Sequence, residues 1–299
     1  MSAPARVLRA GGVRITLTGA PLLMGIVNAT PDSFSDAGEL PDVDARVARA
    51  HELAAAGARI VDVGGESAFG GRPPAPEDEE AERVVPVIER IARDLDVLVS
   101  VDTYKPAVAE AAIAAGAQLV NDVSGLRDPA LADICAATGA GLVLMHTRVA
   151  PKGTLLDPRF YGDVAADVRD FLADRIAVAE GAGMHPEQLL LDPGPDFAKT
   201  PAQTVAVLRR LDLLHELGRP LLLAVSRKDF LGAITGRGPR DRGAVTLAAV
   251  GWAADAGAHV VRVHDVRAAA DFLAVRSVLH GDRALAPGAG LTPDRFPGS

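Results

Sequence analysis

An α/β fold, specifically a (β/α)8 barrel of the TIM type with a short N-terminal β-hairpin, is expected from three features of this chain. Eight short apolar runs recur along the 299 residues, each run is followed by an amphipathic stretch, and nearly every run ends in a polar residue. The runs cover 22–27, 59–63, 97–101, 118–120, 141–145, 188–191, 220–225 and 258–263. They are rich in Val, Ile and Leu with little alternation, the pattern of parallel strands covered on both faces.

The amphipathic stretches between them cover 43–56, 76–94, 106–115, 128–138, 163–181, 201–216, 240–256 and 266–280. Several stop at a glycine (Gly57, Gly116, Gly139 and Gly257), where a left-handed C-cap suits a residue without Cβ. Strand–helix repeats of this kind pair in parallel through right-handed crossovers. They can close into a barrel or remain an open doubly wound sheet. The polar residues favour closure: Asn28, Asp62, Asp102, Asn121, His146, Asp192, Ser226 with Lys228, and Arg262 with His264 stand at or just past the run ends. An open sheet gathers polar groups only near its switch point, whereas a barrel gives all eight strand ends one mouth. Helix capping is the competing use, and Asp102 or Asp192 could each serve it. Ahead of the first run, 6–8 and 14–18 form a hairpin about Gly11-Gly12, expected to cover the barrel's bottom.

Composition narrows the function. With 48% hydrophobic and 23% charged residues the chain reads as soluble and globular, with a large core. One domain over 1–284 is expected, with a flexible Pro- and Gly-rich tail over 285–299. The net charge of −8, mixed along the chain, argues against nucleic-acid binding, which needs clustered Lys and Arg. Cys135 is the only cysteine, so an internal disulfide and a multi-cysteine metal site are excluded. Its Ala-rich helical setting reads as buried packing. No secretory h-region and no apolar run near the ~20 residues of a membrane span occur, so a cytoplasmic protein with no membrane partner is expected.

Common catalytic motifs are missing: there is no G-x-x-x-x-G-K-[ST] loop, no G-x-G-x-x-G after the first strand, no H-E-x-x-H and no G-x-S-x-G. The mouth offers two sets instead. Asp102, Asn121, Asp192 and Lys228 can surround a flat heterocycle, with carboxylates accepting from ring N–H groups, Asn doing both, and Lys donating. Asn28, Arg262 and His264 supply donors suited to an anion. His51, His185, His215, His259 and His280 read as structural or solvated, with His259 inside a strand.

Eight segments, in order and each at a strand end, resemble one family. They are Met24-Gly25-Ile26-Val27-Asn28-Ala29-Thr30-Pro31-Asp32-Ser33-Phe34-Ser35-Asp36, Asp62-Val63-Gly64-Gly65-Glu66-Ser67, Ser100-Val101-Asp102-Thr103-Tyr104-Lys105 and Asn121-Asp122-Val123-Ser124-Gly125, then Leu144-Met145-His146, Asp192-Pro193-Gly194, Ser226-Arg227-Lys228 and Arg262-Val263-His264-Asp265-Val266. From about Leu22 to about Leu279 the chain resembles the dihydropteroate synthases, the pterin-binding enzyme family. The resemblance implies that 6-hydroxymethyl-7,8-dihydropterin diphosphate condenses with 4-aminobenzoate to 7,8-dihydropteroate and diphosphate. It places Asp102, Asn121, Asp192 and Lys228 at the pterin edge, and Asn28, Arg262 and His264 at the diphosphate, with Mg2+ at Asn28. Phe34 and Asp36 match the first loop over the reacting centre, Ser226 a contact to the second substrate's carboxylate, and Phe197 the Asp-Pro-Gly-x-Gly-Phe pattern. Among these, Arg262, His264, Lys228, Asp36 and Phe34 are the expected catalytic set. A homodimer is also implied.

Two segments depart from the family pattern, and both bear on the amine. Ser67 is followed by Ala68-Phe69-Gly70-Gly71-Arg72-Pro73 instead of Thr-Arg-Pro-Gly, so Arg72 takes the usual arginine's part on a longer loop or Phe69 reshapes the pocket. This could weaken sulfonamide binding, since such drugs mimic the amine. Asp196 stands where a glycine is usual, facing either the aminobenzoate carboxylate or solvent. The alternatives are a pterin-binding paralogue without aminobenzoate coupling and a corrinoid-linked methyltransferase. The anion cluster disfavours the methyltransferase.

Overall fold

The hairpin comes first: β1 (Arg6–Ala10) and β2 (Val13–Leu17) pair antiparallel and turn on Gly11 and Gly12. Both glycines have positive φ, 53° and 84°, which a side chain would strain. The computed structural model describes residues 6–30, 43–66 and 73–285.

The barrel follows as β3 (Leu22–Asn28), α1 (Val43–Ala55), β4 (Ile60–Gly64), α2 (Glu77–Asp94), β5 (Leu98–Asp102) and α3 (Pro106–Ala114). Then come β6 (Leu119–Asp122), α4 (Ala130–Thr138), β7 (Gly141–Met145), α5 (Val164–Gly181), β8 (Leu189–Asp192), α6 (Pro201–Leu208) and α7 (Asp212–His215). The last elements are β9 (Leu222–Leu223), α8 (Asp229–Thr235), α9 (Gly243–Asp255), β10 (Val260–Val263) and α10 (Val266–Leu279). The eight strands are parallel in the order β8-β7-β6-β5-β4-β3-β10-β9. A parallel bridge from Leu191 to Leu221 joins the two ends, so the ring is nearly closed.

Strand side chains alternate between two faces, and here the faces meet two separate cores. Outward residues such as Val61, Val99, Val120, Leu142 and Val261 pack under the helices. Inward residues, one from each strand, form a ring: Met24, Ile60, Leu98, Leu119, Val143, Leu190, Leu222 and Val260. Leu8, Ala10 and Leu17 of the hairpin are buried against that ring. The hairpin therefore plugs the N-terminal end of the barrel, as expected, and leaves the other end for the site.

Some boundaries differ from expectation. The helix expected over 201–216 is two, α6 and α7. Leu208, Leu211 and Leu214 are all buried at a three-residue spacing, which suits tighter winding than 3.6 residues per turn. The seventh strand, expected over 220–225, pairs regularly only at Leu222–Leu223; Pro220 has no N–H to offer a ladder, and Leu221 pairs only through its bridge to Leu191. The helix expected over 240–256 starts at Gly243 after a short 3-10 turn, Pro239–Asp241. α8 was not anticipated: it is seven residues long and too short to show helical periodicity. His259 precedes β10 rather than lying within it; its Nδ1 accepts from Leu221 N at 3.1 Å, a structural use. Cys135 is buried and its thiol is pushed up to about 12 by that burial. No helix among the described residues is long and apolar enough to cross a membrane. The tail from 286 onward lies outside the described residues.

Candidate active site

The site is the upward continuation of the plugged ring. Two residues further along each strand, the inward positions are Ile26, Asp62, Ser100, Asn121, Met145, Asp192, Ala224 and Arg262, counted from the ring residues Met24 to Val260. The layer turns from apolar to polar within one period of the strand. A third step brings Asn28, Gly64 and Asp102 to the rim; Asn28 pairs in register with Gly64, and Gly64 with Asp102. His264 lies two residues past Arg262 on the same parity.

Arg262 crosses the interior. Its Nε donates to Asp62 Oδ2 at 2.7 Å and its Nη2 to Asp102 Oδ2 at 2.8 Å. Asn121 Nδ2 donates to the same Asp62 oxygen at 3.1 Å. Asp62 is completely buried, and its Oδ1, like the hydroxyl of Ser100, has no hydrogen-bond partner among the described residues. Buried polar atoms without partners are costly in a native fold, and these two stand on inward positions of the strands, where a ligand's polar edge can meet them. Burial pushes the Asp102 carboxyl up to about 7, with Arg262 pulling the other way and Asp62 adding to the rise. Burial likewise raises Asp192, opposed by the Gly194 N–H that its Oδ1 accepts at 2.8 Å and by the nearby Lys228. Neither Asp102 nor Asp192 caps a helix. Asp62 was not assigned a role from sequence, although a carboxylate inside Ile60-Val61-Asp62-Val63 is itself a signal of purpose.

The loop after β9 supplies the other wall. Lys228 Nζ lies 4.4 Å from the centre of the Phe197 ring, a cation–π contact. Burial lowers its ammonium, against the fields of Asp196 and Asp192. Ser226 Oγ accepts from the His264 backbone N–H at 3.3 Å and lies 2.9 Å from His264 Nδ1. A hydroxyl accepting from that amide can give its own proton to Nδ1, an arrangement that puts the imidazole proton on Nε2. Burial, then the neighbouring Arg227, Arg262 and Lys228, push His264 down to about 4, so it is neutral near pH 7. The structure thus joins Ser226 and His264, which sequence reasoning had given to different substrates.

His146 does not join them. It follows the outward parity of Leu142 and Leu144, and it is completely buried beneath α5. Its Nε2 lies 3.0 Å from Asp167 and its Nδ1 2.7 Å from Lys199 Nζ. Lys199 itself had no sequence signal. It is 1% exposed, with Nζ also donating to the carbonyls of Gly194 and Phe197, each at 3.0 Å. Burial pushes its ammonium down to about 7. Its work is to hold the backbone that carries Asp192 and Phe197. Gly194 sits at the tightest point of that backbone: at φ 65° an added Cβ would lie 2.2 Å from the His146 carbonyl oxygen.

Both shoulders of the second loop are tied by one side chain. Glu66 Oε2 accepts from Ala75 N and from Lys105 Nζ, each at 2.7 Å, while Oε1 accepts from Tyr104 at 3.1 Å and pairs with Lys152 at 3.1 Å. Lys105 is also paired with the buried Glu80. The segment between these shoulders, with Ala68, Phe69 and Arg72, lies outside the described residues, as do Phe34 and Asp36 of the first loop. Asp196, expected to face the amine or solvent, does neither: its carboxylate turns to Thr204 and to the start of α8.

No group of three or more His, Cys, Asp or Glu suited to a metal is present among the described residues. Asn28 is exposed at the end of β3 and offers one neutral oxygen. Such a donor fits Mg2+, a hard ion that takes oxygen ligands and is commonly held by one or two protein groups together with substrate phosphates.

A barrel whose mouth sets buried carboxylates, an amide and an ammonium around one space, beside a guanidinium and a neutral imidazole, defines a class. It is a (β/α)8 enzyme for a flat, hydrogen-bonding heterocycle that carries an anionic group. A family model described as pterin binding enzyme matches residues 24–264. A dihydropteroate synthase of Bacillus subtilis is 43% identical over 247 residues, 82% of this chain and 84% of that protein. The fold is similar to a Xanthomonas albilineans dihydropteroate synthase with 4-aminobenzoic acid, with a TM-score of 0.85 at 44% identity over 95% and 100% of the two chains. It is similar also to a Burkholderia cenocepacia dihydropteroate synthase complexed with 7,8-dihydropteroate, at a TM-score of 0.83 and 40% identity over 94% and 99%. The chain belongs to the pterin-binding enzyme family, among its dihydropteroate synthases.

Proposed function

We propose that this protein condenses 6-hydroxymethyl-7,8-dihydropterin diphosphate with 4-aminobenzoate, releasing 7,8-dihydropteroate and diphosphate. The observation that carries the reading is the second inward layer, where Asp62, Asn121, Asp192 and Arg262 converge with Asp102 above them. The carboxylates and Asn121 take the amino and ring N–H groups of the pterin, and Lys228 donates to its carbonyl or ring nitrogen. Phe197 lies against Lys228 at the face where the amine approaches.

The C–O bond to the diphosphate breaks first, its electron pair leaving with the diphosphate. The aniline nitrogen then attacks the pterin methylene cation and loses a proton. An aniline is nucleophilic without a strong base, so the reaction asks no covalent nucleophile of the site. Asp62 and Asp102 take Nε and Nη2 of Arg262, leaving further donors of the fork for a phosphate oxygen. His264 Nε2–H offers a neutral donor whose proton affinity rises as the anion arrives. Asn28 would hold Mg2+, which when bound neutralises charge on the diphosphate. Arg72, Phe34 and Asp36 keep their implied roles at the amine and over the reacting centre.

Diphosphate release by the protein with the pterin diphosphate, 4-aminobenzoate and Mg2+ tests the reading. Absence of turnover beside an active synthase overturns it. The longer loop over 67–72 is proposed to weaken sulfonamide binding, and an inhibition constant equal to that of an ordinary synthase measured alongside would end that idea.

Affinity should depend on pH. Pterin N–H groups need Asp102 ionised, and its carboxyl titrates at about 7 in the free protein. Affinity for 6-hydroxymethyl-7,8-dihydropterin, which lacks the titrating diphosphate, should be level above that pH and fall up to about tenfold per unit below it. Calorimetry across this range checks it, and Asp102→Asn should flatten the profile at a weaker level.

The catalytic unit is proposed as a single domain over 1–284, in the cytoplasm and as a homodimer. An apolar groove between α6, α8 and α9, with Trp252 and Ile234 40% and 66% exposed, supports the pairing of two copies.

A further inference from the structure

Asp196 has an unusual backbone and a fully occupied carboxylate. Its φ is 66°, a left-handed conformation that costs most L residues about 1 kcal/mol or more and that Asp and Asn tolerate best. Oδ1 accepts from Thr204 Oγ1 of α6 at 3.2 Å, and that hydroxyl accepts in turn from Asp196 N at 3.1 Å. Oδ2 accepts from the backbone N–H groups of Asp229, at 2.5 Å, and Phe230, at 3.4 Å. One side chain therefore binds the loop after β8, the α6 helix and the first turn of α8.

The residues at the two ends of this bridge are those that meet in the site. Phe197 follows Asp196, Lys228 precedes Asp229, and Lys228 Nζ lies 4.4 Å from the Phe197 ring. On its far side the Lys228 loop is held by Arg242, whose Nη1 donates to the Arg227 carbonyl and to Asp229 Oδ1, each at 2.8 Å. With that side fixed by Arg242, the carboxylate of Asp196 sets the distance between the loop after β9 and the loop carrying Asp192.

We propose that Asp196 is a positioning residue that holds Lys228 and Phe197 in register for the pterin ring. The inference rests on the pterin reading above and adds to it a residue that acts through its neighbours without touching substrate. A displaced ammonium loses its hydrogen bond to the ring, and losing a hydrogen bond from a charged donor weakens binding by about tenfold or more.

Two variants of the full chain test it. Asp196→Gly keeps the left-handed backbone free of strain and removes the carboxylate. Asp196→Asn keeps an oxygen for the two amides and an NH2 that the Thr204 hydroxyl can accept. In the glycine variant, KM and Kd for the pterin diphosphate are expected to rise about tenfold, with kcat changed less than about threefold. In the asparagine variant both should return to within about threefold of wild type. A glycine variant with a lower melting temperature but wild-type pterin KM and Kd would assign Asp196 to stability alone and overturn the inference. Equal weakening in both variants would overturn it too. Wild-type protein that binds no pterin would overturn the functional reading itself, and this inference with it.

Discussion

Arg262→Ala is expected to lower kcat by about 10²- to 10³-fold, the largest single effect in the site. In the proposed site the guanidinium faces the departing diphosphate, and it is largely withdrawn from solvent, where charge is poorly screened. The same change leaves Asp62, completely buried, and Asp102 beside one another without their cation. Removing one partner of a buried pair typically costs ~3–5 kcal/mol, although uptake of a proton by Asp102 would relieve part of it. The melting temperature should therefore fall as well, and fall less at low pH, where Asp102 is protonated. Arg262→Lys should recover little, because an ammonium cannot bond both carboxylates through a planar fork. Steady-state kinetics and thermal melts from about pH 5 to 8 check this. Wild-type kcat in Arg262→Ala would remove the guanidinium from the mechanism.

Lys228→Ala is expected to weaken pterin binding on the order of 10- to 100-fold, with a smaller effect on kcat at saturating pterin. A hydrogen bond from a charged donor contributes ~1.5–3 kcal/mol net, and truncation also leaves the acceptors of the ring facing an apolar gap. In the proposed site Lys228 bears on the ring and Arg262 on the leaving group, so the two variants should separate KM from kcat. Calorimetry with the pterin diphosphate measures the first. Unchanged affinity in Lys228→Ala would take the lysine away from the pterin edge.

Much of this was legible before the structure, and the reason is periodicity. A strand exposes every second residue to the barrel interior, so Asn121 follows Leu119, Asp192 follows Leu190 and Arg262 follows Val260 by the same step of two. The apolar members of those pairs define the plugged end and the polar members the mouth. The same rule, applied strictly, separates His146 from the site: it shares the parity of Leu144, not of Met145, and turns under α5. Asp62 was legible by that rule as well, since it follows Ile60.

Other features had no local trace. The burial of Lys199 depends on carbonyls of His146, Gly194 and Phe197 arriving from two loops. Asp196 reaches amides 33 and 34 residues away, so its neighbours in sequence say nothing of its role.

The recurrence of the apolar runs and the polar residues at their ends were enough to predict the barrel, its covered and open ends, and the inventory of groups at the mouth, because each depends on a residue's spacing along its own strand or helix. Which acid meets Arg262, how Ser226 pairs with His264, and where the carboxylate of Asp196 is anchored were settled only when the ring of strands nearly closed. Those contacts join residues 38 to 200 apart, or two loops that meet only on that ring. Short-range propensity carries no term for such distances.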